Sequence, residues 1–146
     1  MTDVHVFVPG VPAPQGSSKI VTNRRTGRPL IIHDNERTEP WRDAIRAKIR
    51  EHWRTRTMVI LHRGIPVSID LEFVMPRRKR EPATLEAHTR KPDTDKLVRA
   101  VLDALTNLIY DDDSQVVQIR ARKRIAWPDE EPGAHIAWRE YRQATA

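Results

Sequence analysis

Residues 91–124 read KPDTDKLVRAVLDALTNLIYDDDSQVVQIRARKR, and the order of patterns inside this stretch decides the fold. Pro92 holds the residue before it to extended or turn backbone. Leu97, Val101, Leu102 and Leu105 then recur at helical spacing, which predicts a helix from near Asp95. Asn107 suits the left-handed residue that closes a helix, and Leu108-Ile109-Tyr110 reads as extended. From Val116 to Trp127, Val117, Ile119, Ala121 and Ile125 alternate with Gln118, Arg120, Arg122 and Arg124, which predicts a strand with its arginines on one face.

Upstream, Val67, Ile69, Leu71 and Phe73 alternate with Ser68, Asp70 and Glu72 as a half-buried strand. Further back, Thr38 can cap a helix with Pro40 in its first turn. Trp41, Ala44, Ile45, Ile49 and Trp53 form the apolar side of that helix. Arg42, Arg46 and Arg50, four apart, make one stripe that fits a solvent-facing surface as readily as DNA contact. Val21 and Ile31-Ile32 flank an arginine-rich hairpin tip, and Val4, Val6 and Val8 alternate before a proline-rich loop at residues 9–14. Ala134 to Trp138 can return as the last strand after the turn at 128–133. Residues 76–90 show no usable periodicity and read as a long mobile loop, and 139–146 as a loose tail. The sum is an α+β chain: one domain over residues 1–146, with a small mixed β-sheet packed against two main helices.

The 146 residues suffice for one core without disulfides. The absence of cysteine excludes a disulfide framework, a thiolate zinc site and a cysteine nucleophile. No run approaches the roughly 20 apolar residues of a membrane span, and the start lacks the layout of a signal peptide, so a soluble cytoplasmic protein with no membrane partner is expected. Lys and Arg number 26 against 20 Asp and Glu, a net +6 that favours an acidic partner. The excess is uneven: residues 1–92 hold 18 cations against 10 anions, and residues 93–146 hold 8 against 10. Arg77-Arg78-Lys79-Arg80 would contact phosphate, as would the Arg120, Arg122 and Arg124 face with Lys123.

Six aspartates (93, 95, 103, 111, 112 and 113) crowd the acidic segment. Gathered carboxylates repel, and an oxygen-ligated dication such as magnesium or manganese removes that cost while neutralising substrate phosphate. If the helix ends near Asn107 and the chain doubles straight back, Asp113 returns to the level of Asp93 and Asp95. If the helix runs on through Tyr110, the third carboxylate must come from a partner chain. Lys96 and Arg99, on the turn after Asp95, can spread transition-state charge. The same aspartates also fit a helix start and a surface turn. The six histidines are scattered, with no pair four apart to bind a metal from a helix.

Lys91-Pro92-Asp93-Thr94-Asp95-Lys96-Leu97, then Leu102-Asp103-Ala104-Leu105, then Asp112-Asp113-Ser114-Gln115-Val116-Val117 with Lys123 beyond, resemble the signature of the RusA family of Holliday junction resolvases. The opening at residues 9–16 resembles the family's proline-rich start. The resemblance implies a homodimeric, magnesium-dependent endonuclease that makes paired symmetric nicks in four-way DNA junctions in recombination and repair. It needs no small-molecule cofactor, and its setting is a bacterial or phage-infected cell. By position Asp93, Asp95 and Asp113 match the metal-binding catalytic aspartates, with Asp112 beside the third. Lys96 stands where the family has Asn, and Arg99 where it has a catalytic Lys; Arg keeps the charge but not the point-like ammonium. A metal-dependent nuclease acting on flaps or forks shares every one of these residues. A non-catalytic branched-DNA-binding module or a basic interaction protein would leave the massed aspartates without a use.

Overall fold

The computed structural model describes residues 3–16, 18–33 and 36–145. In chain order the elements are β1 (Val4–Pro9), β2 (Ser18–Thr22), β3 (Pro29–His33), α1 (Thr38–Thr55), β4 (Val67–Met75), α2 (Thr94–Leu105), a 3-10 turn (Asp113–Gln115), β5 (Val116–Ile125) and β6 (Gly133–Glu140). β2 and β3 form the hairpin read from the sequence. The other four strands make one mixed sheet in the order β1-β6-β4-β5. β4 is parallel to β5 and antiparallel to β6, which in turn is antiparallel to β1. The α+β expectation of a mixed sheet with two helices therefore holds.

Parallel neighbours need a crossover, and α2 supplies it between β4 and β5, running back against both strands. Its Leu97, Ala100, Val101, Ala104 and Leu105 repeat at three and four residues and are buried. They join Trp41, Ile45 and Ile49 of α1 over Ile69, Leu71 and Phe73 of β4 and Ile136 and Trp138 of β6. The helices cover one face of the sheet. The other face carries His5, Asp70, Glu72 and His135, and its charges are paired across strands, as in the 2.7 Å bond from Arg139 to Asp70.

Several local expectations are corrected. Thr38 does not cap α1: it is the first helical residue, and its hydroxyl donates to the Pro14 carbonyl at 2.5 Å, tying the helix to the proline-rich loop. Leu108–Tyr110 is a tight turn, because Asn107 adopts φ +63° and its amide donates to Tyr110 O at 2.7 Å. β5 ends at Ile125 rather than Trp127. Its Val117 and Ile119 are exposed, since β5 is an edge strand that α2 leaves partly uncovered. Residues 76–90 are tied down: Arg77 donates to Ala126 O and Leu85 O, Ile125 N donates to Glu86 O, and His88 is buried. Of the expected tail, Arg139 and Glu140 belong to β6 and Tyr141 N donates to Pro66 O. Ala146 lies outside the described residues.

Candidate active site

Asp93 precedes α2 with extended backbone (φ −70°, ψ 143°), yet its side chain caps nothing. Asp95 lies in the first turn, and both residues are exposed. The segment before them is held from the sheet: Lys123 of β5 donates to Arg90 O and Pro92 O, each at 2.7 Å. From the other side Gln15 N donates to Lys96 O at 2.9 Å, docking the proline-rich loop on the same turn. The two carboxylates are thus presented by a fixed backbone while remaining open to water. Lys96 and Arg99 stand beside them, also exposed.

The second acidic group is wired differently. Asp111 accepts from Arg63 N at 2.7 Å, and Asp112 accepts from Ser114 N at 2.9 Å. That amide bond is the main reason the Asp112 carboxyl sits below its ordinary range. Gln115 knots the region: its Oε1 accepts from the amides of Asp111 and Asp112, and its Nε2 donates to the carbonyls of Leu61, His62 and Ile65. Asp113 is the exposed member of the run. Its charge, after burial, helps push the Tyr110 phenol above its usual range, and that hydroxyl donates to Leu102 O.

These two groups lie at opposite ends of α2. Lys123 and Met75 mark the Asp93 end; the pairing of Val67 with Val116 and of Leu61 with Tyr110 marks the Asp113 end. A helix of 12 residues separates them by roughly 18 Å. The expectation that Asp113 returns within the chain to Asp93 and Asp95 is therefore corrected. The chain closes a compact turn after Leu105, and the element that retraces α2 is β5, which starts only after the aspartates. Among the described residues no three carboxylate or imidazole side chains gather as a metal cage.

The cations expected to meet DNA also divide. Arg124 is 7% exposed, held by Glu72 and by Glu130 at 2.5 Å, with its guanidinium 5.9 Å from the Trp127 ring. The bond from Arg124 drives the Glu130 carboxyl down to about 2. Arg77 and Lys123 are engaged with backbone carbonyls, so these three hold the fold instead of lying open to phosphate. Arg122 is shared with Glu72 and Glu86. Arg78, Lys79, Arg80 and Arg120 are exposed. In α1, Arg42 pairs with Glu39 and Asp103, and Arg46 donates to Ala104 O, so that much of the stripe joins the two helices. Gln115, quoted in the signature without a role, is a capping-box residue that the spacing Asp112-x-x-Gln115 signals. Lys91, quoted there only as the start of the signature and given no role, lines the same cavity as Asp93.

A model of the family described as Endodeoxyribonuclease RusA matches residues 9–138, from the end of β1 into β6. The chain belongs to the RusA family. Its similarity extends to the uncharacterized protein YqaN of Bacillus subtilis (strain 168), with 40% identity over 85 residues, 51% of this chain and 58% of YqaN. The chain thus spans little more than half the length of that relative. For the divalent ion that a RusA endonuclease implies, the donor chemistry at α2 fits. Asp93 and Asp95 offer exposed all-oxygen ligands, and magnesium takes one or two protein carboxylates and completes its shell with water and substrate phosphate.

Proposed function

We propose that the protein is a magnesium-dependent endonuclease that resolves four-way DNA junctions as a homodimer. The observation that carries this reading is the pair of exposed carboxylates on the backbone fixed by Lys123 and Gln15, in a chain of the RusA family. Asp93 and Asp95 would hold the metal, which when bound would supply Lewis-acid activation of water and charge neutralisation at the phosphate. Arg99 and Lys96 hold the scissile phosphate and spread its charge as the bond breaks. Arg78, Lys79, Arg80 and Arg120 hold the junction arms through phosphate, so binding weakens steeply with salt.

Dimerisation gives Asp113 its place. β5 is an edge strand with Val117 56% and Ile119 40% exposed, a surface that an isolated chain leaves ready to pair. Two copies of β5 joined antiparallel along residues 116–122, short of the Arg124–Ile125 end that Glu86 and Ala87 already cover, bring the start of one strand towards the end of the other about a two-fold axis. Asp113 of the partner subunit then approaches Asp93 and Asp95, and two such sites cut opposed strands symmetrically. A DNA substrate places the protein in the cytoplasm of a bacterial or phage-infected cell. Consistent with that setting, no helix among the described residues is long and apolar enough to cross a membrane.

Incubation with a synthetic four-way junction, a flap, a fork and a linear duplex, with and without magnesium, tests the proposal. Paired ligatable nicks at opposing junction positions, only with metal, are expected. Cleavage confined to flaps or forks assigns the alternative substrate, and junction binding without cleavage under any divalent ion makes it a binding module.

A further inference from the structure

A cavity of about 330 Å³ opens beside Asp93, between the proline-rich loop and the start of α2. Val11, Pro12 and Pro14 form one wall; Lys91, Lys96 and Asp93 stand around the other side. Its volume lies at the small end of the range for small-molecule sites. A duplex cannot enter it, but one nucleotide can. The wall is also built in advance of any ligand. Gly10 N donates to Pro132 O, Gln15 N to Lys96 O and the Thr38 hydroxyl to Pro14 O, fixing the loop at three points. The apolar pyrrolidine rings and a valine can pack against the face of a base, and the two ammonium groups suit its phosphate.

We propose that this cavity receives one nucleotide of the substrate strand, turned out of the base stack next to the phosphate that is cut. The inference rests on the endonuclease reading above. Asp93 belongs to both places, lining the cavity and holding the metal, so a base seated against Val11 and Pro12 has its own phosphate beside the reacting centre. Extrusion costs a few kcal/mol in a continuous duplex and less where stacking is already interrupted. The cavity therefore favours a branch point over plain duplex, and selects the position whose base unstacks most easily.

The test places 2-aminopurine singly at each position around the crossover of a four-way junction and reads its fluorescence with saturating wild-type protein and with Val11→Trp. Val11 is 48% exposed, so a larger side chain there fills the cavity without entering the core. Wild type should brighten one position, and at saturating protein Val11→Trp should abolish that rise and slow cleavage about tenfold or more. A titration of wild type with deoxynucleoside monophosphates, followed by the Val11 methyl resonances, needs neither cleavage nor the variant; saturable shifts are expected. No brightened position, or brightening and cleavage unchanged in Val11→Trp, or no methyl shift, overturns the inference. Absence of junction cleavage by wild type instead overturns the endonuclease reading, while the fluorescence and methyl shifts still judge the cavity.

Discussion

The two ends of α2 each carry aspartates, and they use them in opposite ways. At the start of the helix Asp93 and Asp95 are exposed, and the backbone beneath them is secured by other residues, Lys123 and Gln15. Past its end, Asp111 and Asp112 spend their carboxylates on backbone amides, Gln115 ties the loops together, and Asp113 is the member left exposed. A run of aspartates is therefore not one site. Carboxylates that build a turn are low in free energy without a ligand, whereas carboxylates held apart from any amide have a charge to offer a cation.

The largest effect should come at the first end: Asp95→Asn lowers the cleavage rate on a four-way junction by about 10³ or more while junction affinity is kept or rises. Loss of binding in a gel-shift assay would give Asp95 a structural role. Next, Asp95→Asn and Asp113→Asn chains, each inactive alone, should recover cleavage when denatured and refolded together. Cross-chain sites leave one intact centre per mixed dimer, so the product is a single nick instead of a pair. No recovery would place Asp113 outside a shared centre. At the second end, Gln115→Ala should destabilise the fold by about 2–4 kcal/mol, read by urea titration, because it strands buried amides and carbonyls. Asp112→Ala should cost only about 1 kcal/mol, the loss of a cap. If Asp112→Ala proves the more damaging, the knot does not centre on Gln115.

A smaller effect lies on the open face of the sheet. Glu130 is held by Arg124 down from an ordinary 4.5 to about 2. A carboxylate with a lowered folded-state pKa contributes stability that is present above 4.5 and is lost as pH falls towards 2. Glu130→Gln should therefore flatten the acid limb of the stability profile in that window, with little change in its slope above it. An unaltered acid limb would show that other carboxylates govern it.

Much of this was legible in the chain. The repeat of Leu97, Val101 and Leu105 and the alternation of Val67 to Phe73 disclosed α2 and β4, because a helix or strand buried on one side leaves its period in the sequence. Asn107 was readable because few residues tolerate φ +63°. Residues 76–90 misled because their order comes from Arg77 and Arg90 bonding to distant carbonyls, which has no period. The cations were legible as charges but not as occupants: Arg122 and Arg124 look alike in sequence, yet Glu130 and Glu72 bury one while the other stays 61% exposed along its side chain.

By itself the sequence determined the element types and the pair Asp93 and Asp95 at a helix start, since each depends on neighbours within about one turn or strand. Only the tertiary structure decided where Asp113 lies. That depends on whether the chain retraces α2 before or after the aspartates, and the choice was made by Tyr110, Leu61 and Gln115 closing a turn through contacts far apart in sequence.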